Sequence, residues 1–303
     1  MSDKMKLNLA LLAVVAVLGL LVVLEPGKKK DEPHPLAQID TQSINKIQVS
    51  GRQNFTLEKR DGHWRLTQPL DVPAAENRVE QLLKIPSAPS DTQYPVDAAQ
   101  LAKFQLAPPN ATLALGDLVL EFGGSDPIQQ QRYVKLGNSL HLVTDNFYQH
   151  LTAAPTDYVE KKLLPENANI HGIELPGLKL SKDKDGKWTA EPPQAEAAPL
   201  YEMAEAWKNA RAYDVRSYTP MDGKMPTEKA TIRLADGQSV EFLVAQREPD
   251  AILVRPDWKL QFHLTEGIAQ QLLALKKAEK TEKSDGAAPA TPAEDDDSED
   301  SEE

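Results

Sequence analysis

Hydrophobic positions form one long apolar run near the amino terminus and, after it, many short segments separated by polar residues. The run extends from Leu7 to Leu24, covers 18 residues and contains one polar residue, Asn8. An α-helix of that length spans roughly 27 Å, close to the bilayer hydrocarbon thickness of about 30 Å. The pattern predicts a short tail over 1–6 and a transmembrane helix over 7–24.

The alternative interpretation of this run is a cleaved signal peptide, whose apolar region is typically about 7–15 residues long and ends in small residues. This run is longer and ends in Val-Val-Leu-Glu-Pro, without an Ala-x-Ala site. A buried core helix is disfavoured because the run is apolar on every face. We therefore expect an uncleaved signal anchor.

Charge alone does not orient the anchor. Lys4 and Lys6 precede it and Lys28–Lys30 follow it, so the positive-inside count is nearly balanced. A short tail directly before an apolar run is typical of a bacterial signal anchor, which exports the remainder of the chain. We expect a single-pass inner-membrane protein with a linker, 25–35, and a globular body in the periplasm.

The body carries an internal repeat. Four short motifs recur in the same order, displaced by about 120 residues. The pairs are Ile44-x-x-Ile47-x-Val49 with Ile170-x-x-Ile173-x-Leu175, Asp61-Gly62-His63-Trp64 with Asp185-Gly186-Lys187-Trp188, Ala111-Thr112-Leu113 with Ala230-Thr231-Ile232, and Thr144-Asp145 with Thr265-Glu266. We predict two tandem modules, 36–162 and 163–277.

Each module contains an Asp-Gly pair followed by a tryptophan. Asp-Gly suits the positive φ angles of tight β-hairpin turns. An aromatic pair in a cleft between the modules, holding a glycan or lipid, is one interpretation. Recurrence at the same place instead favours tryptophans that pack across their own hairpins onto the core. The predicted structural hairpin residues are Asp61, Gly62, Trp64, Asp185, Gly186 and Trp188.

The remaining pattern predicts a helix after each hairpin, then strands, then a last helix. Helical spacing is clear over 200–211 and weaker over 79–83. Thr144 and Thr265 are candidate N-caps of the last helices. The closing strands are predicted over 112–115, 119–122, 133–136 and 140–143, with counterparts over 231–234, 240–244, 252–255 and 260–264.

These elements define an α+β class. We predict two tandem duplicated modules of antiparallel sheet, with helices packed on one face, after one N-terminal transmembrane helix. Two proline-containing segments, 86–109 and 213–226, are expected to be loops and candidate working surfaces, with a short helix over Ala98–Phe104. Gly123-Gly124 is expected to form a turn.

Charge is unevenly distributed. The net charge is −12, but residues 285–303 hold nine acidic residues and no basic one, which leaves about −3 for the rest. The segment 278–303 has no apolar periodicity and is predicted to be a disordered acidic tail. The near-neutral body lacks the basic surface that nucleic-acid binding requires.

The chain carries no recognisable catalytic chemistry. The absence of cysteine excludes disulfides, thiolate nucleophiles and cysteine-ligated metals. Zinc-protease, hydrolase-elbow and phosphate-loop motifs are missing, and the six histidines show no metal spacing. We expect a non-enzyme without catalytic, cofactor or metal residues. Trp258, at a predicted hairpin turn, is the candidate surface contact.

Several segments together resemble a known family. They include the hairpin followed by Thr67-Gln68-Pro69, the stretch Leu101–Pro109 ahead of Ala111-Thr112-Leu113, and Tyr158–Leu164 before Ile170. Their order is similar to that of the domain of unknown function 4340 family, over about residues 36–275. Gln105 departs from the family pattern, because glycine is common at that position.

The resemblance implies a bacterial protein anchored by one N-terminal helix, without assigned catalytic residues. Some members resemble accessory proteins encoded beside ABC-type transporters of the gliding-motility kind. The expected function is therefore a non-enzymatic envelope protein that binds an inner-membrane partner, such as an ABC transporter permease. The alternative is a periplasmic binding module for an envelope lipid or glycan, with an apolar cleft between the modules. A hydrolase with an unrecognised site is the third interpretation.

Overall fold

The computed structural model describes residues 11–15, 34–90, 92–194 and 196–275. The predicted anchor, 7–24, lies outside the described residues except for 11–15, which are helical with exposed side chains. The predicted acidic tail, 278–303, also lies outside them. Among the helices of the described ranges, none combines the length and apolar character needed to span a bilayer.

The described chain folds into two antiparallel sheets with a few short helices, as predicted for the α+β class. The strands are β1 Lys46–Gly51, β2 Phe55–Arg60, β3 His63–Gln68, β4 Val72–Pro73, β5 Thr92–Pro95, β6 Ala111–Leu115, β7 Leu118–Ser125, β8 Arg132–Leu136, β9 Ser139–Val143, β10 Ile170–Leu175, β11 Leu178–Lys182, β12 Trp188–Glu191, β13 Asp214–Ser217, β14 Lys229–Leu234, β15 Ser239–Gln246, β16 Ala251–Arg255 and β17 Leu260–Leu264. The helices are α1 Glu76–Leu83, α2 Tyr148–Thr152, α3 Ala198–Asn209 and α4 Glu266–Leu273, with 3-10 turns at Ile85–Ser87, Ala98–Phe104, Pro155–Tyr158 and Met221–Gly223.

The two sheets have equivalent strand orders. The nine-stranded sheet runs β4-β3-β2-β1-β6-β7-β8-β9-β5, and the eight-stranded sheet runs β12-β11-β10-β14-β15-β16-β17-β13. Apart from the short β4, each strand of the first sheet has a counterpart at the same place in the second. This is the arrangement that the repeated motifs predict.

Alternation of apolar and polar residues accounts for the central strands. In β6, Ala111, Leu113 and Leu115 are buried, while the residues between them are partly exposed. In β1, Ile47 and Val49 face the same core. A period of two places one set of side chains on the core face.

The two hairpins use their Asp-Gly pairs differently. Asp61 and Gly62 form a two-residue turn with φ angles of 53° and 84°, as the motif predicts. The second hairpin has a longer loop, in which Gly186 alone of the pair has a positive φ, 78°. There the Asp183 carboxylate accepts hydrogen bonds from the backbone N–H groups of Asp185 and Lys187, both at 2.9 Å.

The last helix of the first module begins later than predicted. It starts at Tyr148, and Thr144 is not its N-cap. Asp145 accepts a hydrogen bond from the Tyr148 backbone N–H at 3.1 Å while it is also held by Arg132. The second module follows the prediction more closely, because α4 begins directly after Thr265, although that side chain makes no capping hydrogen bond.

Both predicted loop segments contain an edge strand that periodicity did not indicate. Strand β5 pairs with β9, and β13 pairs with β17. Each strand has four residues, too few to establish a period. Pairing to an existing sheet edge, rather than local pattern, decides their conformation.

The glycine pair Gly123-Gly124 lies within β7 rather than in a turn. The pairing of β7 with β8 shifts register between Phe122 and Ser125, which marks a bulge. A Cβ atom on Gly123 would lie 2.1 Å from the carbonyl oxygen of Phe104. The glycine is required there because the backbone of the 3-10 helix approaches the strand closely.

The chain between the sheets bonds to both of them. The Glu160 backbone N–H donates to the Pro73 carbonyl oxygen at 2.9 Å, on the first module. The Leu163 N–H donates to the Ala210 carbonyl oxygen at 3.1 Å, on the second. Buried apolar side chains of both modules form one continuous core cluster. The predicted module boundary, 162/163, falls within this connecting segment.

Candidate functional site

A cavity of about 410 Å³ lies at the β5 end of the nine-stranded sheet. It is bounded by the face of the sheet on one side and by the 3-10 helix Ala98–Phe104 on the other. We call it the edge pocket. Its lining residues are Tyr94, Pro95, Val96, Asp97, Gln100, Leu101, Phe104, Asp126, Tyr133, Leu140 and Leu142.

Strand pairing places the aromatic and apolar side chains of the edge pocket on one face. Tyr94 lies opposite Leu140 across β5 and β9, and Tyr133 lies opposite Leu142 across β8 and β9. Residues directly opposite each other in an antiparallel pair project from the same face. The Phe104 ring packs against that of Tyr133, with centroids 4.7 Å apart. Tyr94 is 51% exposed, so one ring remains open to solvent.

Two carboxylates complete the edge pocket. Asp97 accepts a hydrogen bond from the Ala99 backbone N–H at 3.0 Å. Asp126 accepts one from the Gln129 N–H at 2.7 Å. Burial, and then the neighbouring Asp126 carboxylate, raise the pKa of the Tyr133 phenol. Among the described residues that line the pocket, none is lysine or arginine.

The matching face of the eight-stranded sheet is more polar at its β13 edge, although Ile252 lies on it opposite His263, at the place that Tyr133 has in the first sheet. There Arg216 lies opposite Gln261 across β13 and β17. These two take the places that Tyr94 and Leu140 occupy in the first sheet. Arg216 also donates from Nε to Asp214 Oδ2 at 2.6 Å. The two modules share strand order but differ in chemistry at this face.

The predicted tryptophans lie away from the edge pocket. Trp64 is 5% exposed and packs into the core, as predicted. Trp188 is half-buried, with Lys182 Nζ 5.2 Å from its ring centroid. Trp258, the candidate surface contact, is also half-buried, and the Arg255 guanidinium carbon lies 3.8 Å from its ring centroid.

The hairpin residues Asp61, Gly62, Asp185 and Gly186 form turns, and neither they nor the predicted tryptophans line the edge pocket. The segment 86–109, predicted as a candidate working surface, does contribute lining residues. The pocket itself was not predicted, because the residues of β8 and β9 that complete it are distant in sequence. Comparison of the two repeats could have indicated it, because Leu140 and Leu142 correspond to the polar Gln261 and His263.

Three histidines outside the edge pocket are shielded from solvent: His141 and His263 are buried, and His150 is half-buried. His141 is buried, its Nδ1 lies 2.8 Å from Ser90 Oγ, and its Nε2 has no partner among the described residues. Burial lowers the pKa of His141, of His150 and of His263. Within the described ranges, no group of three or more His, Asp or Glu side chains could hold a metal ion.

The stability of the fold should decrease as the pH is lowered, in part through His141. Its folded-state pKa is lowered by burial, whereas in the unfolded chain it returns to about 6.5. The unfolded state therefore binds more protons below that pH. The contribution of neutral His141 to the free energy of unfolding is fully present above about pH 6.5. It is lost as the pH falls below that value, by at most about 1.4 kcal/mol per pH unit.

Urea unfolding at about pH 7.5 and about pH 5.5 measures this dependence. The difference in unfolding free energy between the two conditions should be smaller in His141→Gln than in the wild type. His171→Gln serves as the control, because His171 is exposed, and it should leave the difference unchanged. An equal pH dependence in His141→Gln and the wild type would contradict the assignment.

The fold and the edge pocket define a two-sheet α+β protein with a pocket on one sheet. The family model described as Domain of unknown function (DUF4340) matches residues 64–253, more than half of the 303 residues. The chain belongs to this family, as the resemblance predicted. No curated protein and no solved structure was found to match the chain.

The one departure from the family pattern has a local structural explanation. Gln105 follows the 3-10 helix Ala98–Phe104 with a φ of 56°, in the left-handed region. Glycine adopts this region at little cost, which accounts for the glycine that the resemblance implies at this position. The Gln105 side chain accepts a hydrogen bond from Asn110 Nδ2 at 3.0 Å.

Proposed function

We propose that this chain is a non-enzymatic, membrane-anchored envelope protein that binds an inner-membrane partner protein through the edge pocket. The observation that carries the proposal is the difference between the repeats. Both modules keep the same strand order, but Tyr94, Leu140 and Leu142 line a pocket in the first. The second has the polar Arg216, Gln261 and His263 at those places, beside Ile252. A surface that diverges while the framework is kept is typical of a binding site on a common scaffold.

The apolar run over 7–24 supports membrane anchoring. The short tail before it, typical of a bacterial signal anchor, supports a body on the periplasmic side. In this proposal the partner belongs to an ABC-type transport system, for example its permease, and the chain is an auxiliary subunit. Such a tether raises the local concentration of the edge pocket around other membrane proteins.

A cysteine-free chain allows a clean crosslinking test. In full-length protein, Gln100→Cys places one thiol at the rim of the edge pocket, and Ser217→Cys places a control thiol on β13. Both positions are exposed. A membrane-impermeant, thiol-reactive photocrosslinker is then applied to spheroplasts. We expect Gln100→Cys, but not Ser217→Cys, to yield an adduct with a membrane protein.

Two other outcomes are decisive. Labelling of both cysteines without any protein adduct would contradict a protein partner. Labelling that occurs only after the membrane is broken would place the body on the cytoplasmic side and overturn the periplasmic location.

A second candidate function is the binding of an envelope lipid or glycan. The volume of the edge pocket, about 410 Å³, lies within the range of about 300–1,000 Å³ typical of small-molecule sites. The sequence suggested a cleft between the modules for such a ligand, whereas the edge pocket lies on the first module alone. A lipid or glycan that copurifies with the wild type but not with Leu101→Glu would favour this function.

A further inference from the structure

The edge pocket combines aromatic rings with negative charge. Tyr94, Phe104 and Tyr133 supply three ring systems, and Asp97 and Asp126 supply two carboxylates. Among the described lining residues, no side chain carries a positive charge to balance them. An aromatic surface with nearby carboxylates attracts a cation through the ring quadrupoles and through direct charge attraction.

We propose that the edge pocket takes the cationic side chain of an arginine or lysine from the partner protein. This inference rests on the proposed function and names the group that the partner supplies. The apolar stem of such a side chain would pack on Leu101, Leu140 and Leu142, and its charged head would meet the rings and carboxylates.

The hydrogen bonds already present within the edge pocket leave it open to such a guest. Asp97 accepts from the Ala99 N–H and from Gln100 Nε2, both at 3.0 Å. Asp126 accepts from the N–H groups of Ile128 and Gln129 at 3.1 Å and 2.7 Å, so both carboxylates are positioned before a ligand arrives. Both keep further acceptor capacity, because a carboxylate can accept about four hydrogen bonds. Pre-oriented acceptors reduce the ordering cost of binding.

The second module shows the alternative arrangement. At the place of Tyr94 it has Arg216, whose guanidinium already bonds to Asp214. The cation of that face is thus supplied by the chain itself. In the first module the corresponding cation is absent from the described lining residues, which favours its supply by a partner. A protein side chain is favoured over a small cation because leucine side chains line the pocket beside the charged groups.

The test titrates full-length protein, with ¹³C-labelled leucine methyl groups, against Nα-acetyl-arginine amide. Nα-acetyl-citrulline amide is the neutral isostere and tetramethylammonium is the headgroup probe. We expect saturable shifts of the Leu101, Leu140 and Leu142 methyl signals with the arginine compound, and at least about 5-fold weaker binding of the citrulline compound. Tyr94→Leu should weaken binding of the arginine compound by about 5-fold. Tyr201→Leu, which replaces a similarly exposed tyrosine on α3, should not.

Equal affinity for the arginine and citrulline compounds would overturn the inference. Tighter binding of tetramethylammonium than of the arginine compound would overturn it in favour of a choline-type headgroup. A protein adduct at Gln100→Cys, combined with no arginine binding, would leave the proposed function standing and remove only the cationic guest. The absence of any adduct, with arginine binding intact, would contradict the protein partner and leave only the affinity of the edge pocket for a guanidinium group.

Discussion

Replacing Arg132 by methionine is expected to lower the free energy of unfolding by about 3 kcal/mol. Arg132 is 8% exposed. Its guanidinium donates to Asp145 Oδ2 at 2.7 Å and to the Gly123 carbonyl oxygen at 2.6 Å, and lies 3.5 Å from the Tyr148 ring centroid. Removal leaves the Asp145 carboxylate without its cation, which typically costs about 3–5 kcal/mol when the pair is buried.

The lower end of that range applies because the Asp145 side chain is 18% exposed. Urea unfolding followed by circular dichroism measures the loss. Lys135→Met is the matched control, because its ion pair with Glu121, at 2.9 Å, is more exposed, and it should cost less than about 1 kcal/mol. Adding Asp145→Asn to Arg132→Met should recover part of the loss. A loss for Arg132→Met no larger than for Lys135→Met would contradict the prediction.

Replacing Trp207 by alanine should lower the free energy of unfolding by about 4 kcal/mol. Trp207 is fully buried, its ring centroid lies 5.6 Å from that of Phe242, and its Nε1–H donates to the Leu272 carbonyl oxygen at 3.0 Å. The substitution opens a large cavity and removes a hydrogen bond that joins α3 to α4. Thermal or urea unfolding gives the magnitude.

Trp207→Phe separates the effect of the cavity from that of the hydrogen bond, and Trp188→Ala is the control for a less buried tryptophan. Trp207→Phe keeps most of the volume but cannot donate, so it should cost less than Trp207→Ala. Trp188→Ala removes a half-buried tryptophan on a hairpin and should cost about 1 kcal/mol. Similar losses for the Trp207→Ala and Trp188→Ala variants would show that the α3–α4 contact contributes little.

The central strands could be predicted because their information is local. In β6, alternating residues bury Ala111, Leu113 and Leu115, and such a period appears in the sequence itself. The Asp61-Gly62 turn was predicted on the same basis, since few residue pairs suit positive φ angles. The repeat extended these predictions to the second module, where the strands follow but Asp185-Gly186 lies in a longer loop.

The edge strands and the close approach at Gly123 could not be predicted in this way. Strands β5 and β13 are defined by a neighbour distant in sequence, because a four-residue strand gains its hydrogen bonds from the sheet edge that it joins. Gly123 was expected in a turn, but its small size serves contact with the Phe104 carbonyl oxygen. Thr144 is likewise not a cap, because the helix begins only at Tyr148, whose N–H donates to Asp145.

The edge pocket depends on the same kind of distant pairing. Tyr94, Phe104 and Tyr133 lie in three separate segments, and only the order of strands β8-β9-β5 brings them to one face. From the sequence, only Trp258 was a candidate surface contact, and Trp64 and Trp188 were predicted to pack on the core. Conspicuous residue types indicate packing more often than binding, because large aromatic side chains stabilise cores.

By itself, the sequence determined the family, the antiparallel α+β class and the two-module pattern, because periodicity and turn chemistry act over neighbouring residues. It also predicts the apolar run over 7–24 as an anchor. Only the tertiary structure decided which segments close the sheet edges, where Gly123 contacts Phe104, and which side chains surround the edge pocket. Those features depend on contacts between residues far apart along the chain, whose free energy appears only when the sheets have formed.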